Sequence, residues 1–169
     1  MKIEQILRSA VLAGICIGIA GFGYLADEKG IVGAVLFAFG LLTVVSYSLK
    51  LYTGTAGFIK KGETGQLLLI LVGNIIGCLL VALIARCSPM HLQDTAQKIL
   101  EGRLATGSLK GGVLAIGCGF PRCIADAFYY LCVPVDYLCE NALSVLAFYA
   151  AIVVGNFIGC NLYRLIWKD

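Results

Sequence analysis

Two observations predict that this chain is an all-α membrane protein built from two related halves. Of its 169 residues, 60% are hydrophobic and only 14% are charged, and the mean hydropathy is +0.92. A soluble domain of this size does not need so much apolar surface, so the bilayer is the expected solvent. The second observation is an internal repeat, because residues 71–80 (LVGNIIGCLL) recur 82 positions later as residues 153–162 (VVGNFIGCNL). Repeated membrane segments are typical of transporters and channels that form a pathway between their halves.

Apolar runs divide the chain into membrane segments, and at about 20 residues per span there is room for five or six helices. We interpret residues 1–169 as one membrane domain, with a first half of about 1–87, a linker of 88–108 and a shortened second half of 109–169. The linker has apolar residues at partly helical spacing, which favours an amphipathic helix at the membrane interface. The predicted segments are Ser9–Ala26, Ile31 to about Tyr52, Gln66–Ala85, the interrupted stretch 109–131, and Asn141–Trp167.

The composition argues against several classes of protein. The eight cysteines include no Cys-x-x-Cys pair, and the only histidine, His91, has no metal-ligand spacing to them. We therefore expect small buried thiols, no metal, no cofactor and no enzyme activity. A membrane thiol oxidoreductase is the alternative, and it requires a reactive cysteine pair. The net charge of +3 is too small and too scattered to indicate a nucleic-acid partner.

The end of the second segment carries the first candidate site. Residues 49–57 read LKLYTGTAG, and a membrane helix followed by two threonines and two glycines can break its hydrogen bonding there. Irregular backbone at membrane depth is tolerated where it is buried in protein or lines a water-filled path. Thr53 and Gly54 are therefore candidate pathway residues. The alternative is an ordinary helix end capped by Gly54.

The stretch from Gly117 to Tyr130 carries the second candidate site. Pro121 breaks a helix, and Arg122 and Asp126 are spaced so that one helical turn can pair them. Ionisable groups at membrane depth cost about 2.5–3.5 kcal/mol each on insertion scales, and they mark functional pathways. The alternatives are an Arg122–Asp126 pair that only neutralises itself, or a loop at the membrane interface.

The repeated segments carry Asn74 and Asn156, one polar side chain in each apolar helix. We expect these asparagines to hydrogen-bond to backbone groups that are freed at the breaks in neighbouring helices. The glycines around them have the small-xxx-small spacing that lets two helix backbones approach closely. Those glycines are Gly73, Gly77, Gly155 and Gly159.

Four motifs in this order resemble the formate/nitrite transporter family, and the resemblance runs from the first segment to the end of the chain. They are Leu51-Tyr52-Thr53-Gly54, Gly73-Asn74-x-x-Gly77, Gly119-Phe120-x-x-Cys123-Ile124-Ala125-Asp126-Ala127-Phe128-Tyr129 and Gly155-Asn156-x-x-Gly159.

The resemblance implies an aquaporin-like fold of six membrane helices in two inverted halves, with broken helices near the pore. It implies a homopentamer in the lipid bilayer, with one pore per protomer, that passes small monovalent anions such as formate, nitrite or hydrosulfide. We expect the inner (cell) membrane of a prokaryote. In the family pattern Thr53 matches the threonine of the broken second helix, and residues 119–126 match the loop of the broken fifth helix.

Two departures from the family pattern stand out. The family's central pore histidine is replaced by Arg122, and the preceding glutamate is replaced by Pro121. A guanidinium attracts an anion but cannot give it a proton. The second departure is length, because residues 109–131 stand where two helices are expected, so we expect one helix to be deleted or fused. A rival alignment puts Leu143 at the histidine position, and neither alignment keeps the histidine.

The leading hypothesis is a shortened anion channel in which Arg122, Thr53 and backbone amides replace the hydration of the ion. Apolar neighbours such as Phe120, Phe58 or Leu51 would form dry constrictions. Because a permanent cation holds anions tightly, we expect slow transport, or binding without turnover. The second hypothesis is a non-conducting structural or regulatory membrane protein. Five spans would put the two termini on opposite sides of the membrane, and six would put them on the same side.

Overall fold

The computed structural model describes residues 3–28, 30–58, 62–88, 92–118 and 122–166. All regular structure in these ranges is helical, and no strand occurs in them. The helices are α1 (Ile3–Ala26), α2 (Ile31–Ser46), α3 (Tyr52–Ala56), α4 (Thr64–Arg86), α5 (Leu92–Thr106), α6 (Ser108–Cys118), α7 (Arg122–Cys132), α8 (Val135–Glu140) and α9 (Ala142–Ile166).

Three of these helices are long and apolar enough to cross a membrane: α1, α4 and the Ala142–Leu162 part of α9. Two shorter apolar helices, α2 and α6, have 16 and 11 residues. The predictions of helices at Ser9–Ala26 and Gln66–Ala85 are confirmed, with some ends shifted by one to six residues, and the helix predicted from Asn141 is confirmed as α9, although its predicted end at Trp167 lies outside the described residues. The amphipathic linker helix is confirmed as α5, whose apolar side is buried at Leu92, Ala96 and Leu100.

The second predicted segment breaks earlier than the sequence indicated. Helix α2 ends at Ser46, and residues 47–51 are not helical, whereas Thr53 and Gly54 lie inside α3. Ser48 has a left-handed φ of 50°, and the amide of Leu49 donates to the carbonyl of Val44. This is a Schellman-type helix end in which serine occupies the position that glycine usually takes. The break therefore carries no glycine signal, and the prediction that placed it at Thr53 and Gly54 was wrong by about five residues.

The stretch 109–131 is divided into two helices, as Pro121 predicted. Helix α6 ends at Cys118 and α7 begins at Arg122, while Pro121 and Phe120 lie outside the described residues. Helix α7 is the central element of the bundle, since residues 123–130 are all buried and it packs against α1, α4, α5 and α9.

Glycines bring the long helices together in two matching pairs. A Cβ at Gly77 would meet the carbonyl of Val11 as α4 crosses α1, and a Cβ at Gly159 would meet the carbonyl of Ile116 as α9 crosses α6. Gly73 likewise faces Ala10, and Gly155 faces Ala115. The predicted small-residue packing of the repeated helices is confirmed, because no side chain fits between these backbones.

Candidate functional site

Asn74 joins three segments around the break at residues 47–51. Its side-chain oxygen accepts a hydrogen bond of 2.8 Å from the amide of Tyr52, the first residue of α3. Its Nδ2 donates to the carbonyl of Lys50 at 2.9 Å and to the carbonyl of Ala10 in α1 at 2.7 Å. The side chain is fully buried, so it satisfies backbone groups that the break leaves without helical partners.

Asn156 performs the same task in the second half. Its Oδ1 accepts the amide of Cys123 at 3.1 Å, at the start of α7, and its Nδ2 donates to the carbonyl of Ala115 in α6 at 2.9 Å. It is also fully buried. The prediction that both asparagines brace broken neighbouring helices is therefore confirmed.

These bonds align the two halves residue by residue. Asn74 corresponds to Asn156, Ala10 to Ala115, and Tyr52 to Cys123. On this alignment α6 matches residues 3–13 of α1, and α7 begins opposite Leu51. The first half then has the 37 residues 14–50 where the second half has only the three residues 119–121, so the second half is 34 residues shorter at this point. The absent counterpart comprises the second half of α1 and all of α2.

Two cysteines of the repeat connect each half to the other. The thiol of Cys78 in α4 lies 3.6 Å from the carbonyl of Ile124 in α7, and the thiol of Cys160 in α9 lies 3.2 Å from the carbonyl of Thr53 in α3. Ile124 and Thr53 occupy equivalent positions on the alignment above. The cysteines were interpreted from the sequence only as small hydrophobes, although their place beside each Gly-Asn motif was the available signal.

A cluster of charged groups lies at the first turns of α7. Asp126 is 1% exposed, and its carboxylate faces Arg122 Nε at 3.6 Å and Arg103 Nη2 at 3.5 Å. The hydroxyl of Tyr130 lies 3.5 Å from the same carboxylate. The predicted Arg122–Asp126 pair is confirmed, but it belongs to a group of three charges. With Asp126 ionised, the cluster carries one net positive charge.

Arg103 was missed from the sequence because it comes from α5, 23 residues before Asp126. Its helix looked like a surface linker, and nothing in the local pattern indicates that one of its cations reaches the interior. Arg86 also contacts α7, at its C-terminal end. It donates to the carbonyl of Leu131 at 2.8 Å and of Val133 at 2.6 Å, and thereby caps the carbonyl end of that helix.

The other predicted pathway residues do not all face the same space. Leu51 and Thr53 are buried, and in the part of the chain that is described Thr53 Oγ1 has no hydrogen-bond partner. Gly54 is exposed, and a Cβ placed there would meet no described atom within 4 Å. Phe58 is 80% exposed, and Phe120 lies outside the described residues.

A cavity of about 420 Å³ lies against α7 and α9. Apolar side chains of α4, α7, α8 and α9 line it, together with the rings of Tyr130 and Tyr149. Its chemistry suits lipid chains or apolar side chains rather than ions.

No cluster of metal-ligating side chains occurs among the described residues. Comparisons with models of known protein families, with curated proteins and with solved structures found no match.

Proposed function

We propose that this protein is a membrane channel or slow transporter for small monovalent anions of the formate, nitrite or hydrosulfide class. The observation that carries the proposal is the cluster of Arg103, Arg122 and Asp126. Two guanidinium groups, of Arg122 (15% exposed side chain) and Arg103 (34% exposed), stand against one buried carboxylate in a bundle that has three helices able to span a bilayer. A fixed positive charge in a low-dielectric interior attracts anions and repels cations.

The start of α7 adds to this attraction. The first amides of a helix point toward its N-terminus and favour negative charge, and in α7 that end carries Arg122 beside the amide that Asn156 holds. Leu51 and Thr53 begin the equivalent helix of the other half. The proposed path runs between these two helix starts and past Asp126, which partly offsets the arginines and allows the anion to leave.

The proposed architecture is an aquaporin-like inverted repeat, as the resemblance to the formate/nitrite transporter family implies. It is supported by the paired asparagines, glycines and cysteines, which make equivalent contacts in both halves. Helix α6 is about 16 Å long at 1.5 Å per residue, roughly half of a 30 Å hydrocarbon core. We therefore propose that α6 and α7 form a re-entrant pair, and that α1, α2 with α3, α4 and α9 make four crossings.

This topology puts both termini on the same side of the membrane. Tags at the two ends, tested for protease access in sealed vesicles, should be cleaved together from one side only. Cleavage of one tag from each side would contradict the four crossings. A homopentamer in a prokaryotic inner membrane remains part of the proposal on the resemblance alone.

Anion flux into proteoliposomes tests the function. We expect formate and hydrosulfide flux to fall by about tenfold or more in Arg122→Ala, because the local anion concentration depends on the interior charge. Arg103→Gln should also reduce the flux, although Asp126 remains paired with Arg122 in this variant. Arg8→Ala is the matched control, since Arg8 pairs with Glu4 on an exposed surface. Equal flux in all four proteins would contradict the pathway.

A non-conducting membrane protein is the second candidate, and two observations favour it. Arg122 is already paired with Asp126, and the second half lacks the counterpart of residues 14–50. In this case the folded protein should give no flux above that of protein-free liposomes for any of the three anions.

A further inference from the structure

Among the described residues nothing covers one side of α3 and α9, although the equivalent side of α7 and α4 is covered. The alignment of the two halves pairs Phe58 with Tyr129 and Cys160 with Cys78. Phe58 is 80% exposed and Tyr129 only 6%, while Cys160 is half-buried and Cys78 is fully buried. Gly54 shows the same difference, since it is exposed and its counterpart Ala125 is buried. We call Gly54, Phe58 and Cys160 the open face.

The second half of α1 provides the cover in the first half of the chain. The carbonyl of Gly14 lies 3.4 Å from the thiol of Cys78, Gly21 packs against the ring of Phe128, and the rings of Tyr24 and Tyr129 lie 6.0 Å apart. All of these covering residues belong to the segment 14–50. The open face is therefore the place where the counterpart of that segment is absent.

We propose that the open face binds an apolar helix hairpin of a separate membrane polypeptide, whose first helix takes the position that residues 14–26 of α1 occupy against α7 and α4. The hairpin has glycines along its first helix, as Gly14, Gly18 and Gly21 have in this chain, because only small residues allow the close approach seen there. The proposal goes beyond anion transport and does not depend on it.

A protein occupant fits this face better than lipid does. Helix α3 has only five residues and lies between the irregular segment 47–51 and the turn at 57–58. The Oγ1 of Thr53 lies beneath this face and, among the described residues, has no hydrogen-bond partner.

A second copy of this chain does not offer the required segment. In each copy residues 14–26 of α1 are already engaged with their own α4 and α7, as Gly18 packs against Val81 and Gly21 against Phe128. A chain of different origin is therefore the occupant.

Photo-crosslinking tests the proposal with a defined probe. The full chain carries a benzophenone amino acid in place of Phe58 and is placed in phospholipid vesicles with a separate polypeptide of residues 14–50. We expect saturable adducts with this hairpin. The same cross-linker at Leu68, which is 59% exposed on α4, is the matched control and should give about one tenth of the yield or less.

A second variant tests whether the hairpin binds at the open face itself. A Cβ at Gly54 meets no described atom within 4 Å, so Gly54→Leu should leave the melting temperature of the chain nearly unchanged while its side chain fills the open face and reduces the adduct about tenfold or more. A hairpin in which Gly14, Gly18 and Gly21 are replaced by leucine should also fail to compete with the unaltered hairpin for formation of the adduct. Adducts with lipid only, adducts with a second copy of the chain, or equal yields at positions 58 and 68 would each overturn the proposal.

Discussion

Helices α3 and α7 begin in the same way but end in different surroundings. An asparagine holds an amide in the first turn of each helix, Tyr52 in α3 and Cys123 in α7, and a repeat cysteine of the other half reaches the next carbonyl. Helix α7 then continues for 11 residues in the centre of the bundle, whereas α3 ends after five beside an open face. The start of each helix is set by the repeat, and its length and burial are set by what covers it.

The two helices also differ in charge. Asp126 of α7 corresponds to Thr55 of α3, whose hydroxyl donates to the carbonyl of Leu51 at 2.9 Å. A buried carboxylate is possible in α7 because Arg103 and Arg122 face it. No such cations surround Thr55 among the described residues, and a neutral hydroxyl takes its place.

The largest expected effect comes from removing the charge that only α7 carries. Asp126→Asn leaves Arg103 and Arg122 without their carboxylate, and we expect the free energy of unfolding to fall by about 3 kcal/mol. Thr55→Val at the equivalent position should cost about 1 kcal/mol, since one neutral hydrogen bond is lost. Steric-trap unfolding in bicelles measures both variants. Equal losses would show that the charge cluster is not a special feature of α7.

The asparagines test whether the two helix starts are held equally. Asn74→Ala removes three hydrogen bonds and Asn156→Ala removes two. At about 1 kcal/mol for each hydrogen bond removed, we expect losses of about 3 and about 2 kcal/mol. Asn141→Ala, which loses one half-buried bond to Tyr137, is the control and should cost less than either. The reverse order between Asn74 and Asn156 would contradict the described geometry.

Glycines sharpen the comparison between covered and open faces. A methyl group at Gly77 or Gly159 would overlap a carbonyl of the crossing helix, so each alanine variant should lower the melting temperature and cost about 1–3 kcal/mol. Gly54→Ala meets open space inside a helix, where alanine is preferred over glycine, and should be neutral or slightly stabilising. A destabilising Gly54→Ala would show that the open face is already covered within one chain.

The smallest effects on stability are expected at the cysteines, where reactivity is the better measurement. Cys78→Ala and Cys160→Ala each lose a weak thiol hydrogen bond, worth about 0.5–1 kcal/mol. Alkylation should be at least about tenfold slower at Cys78, which is fully buried, than at Cys160, which is half-buried. Equal rates would contradict the difference in cover between α4 and α9.

The sequence predicted the scaffold well because helices in a membrane follow from local composition. Apolar length and glycine spacing predicted α1, α4 and α9 and the way they pack, and the lone asparagines in apolar helices predicted the braces. From the sequence, the break after α2 was predicted at the wrong position, because the chain ends α2 with Ser48 in a left-handed conformation. No local residue signals that end, and the bonds of Asn74 to Lys50 and Tyr52 hold the chain there.

By itself the sequence determined that this is a helical protein suited to a membrane, with two related halves and a charged pair in the second. Only the tertiary structure decided which groups share one site. Arg103 reaches Asp126 from the linker helix, the repeat cysteines cross between the halves, and residues 14–50 cover one broken helix but not the other. These contacts join residues far apart in the chain, and burial and charge pairing depend on such neighbours rather than on local pattern.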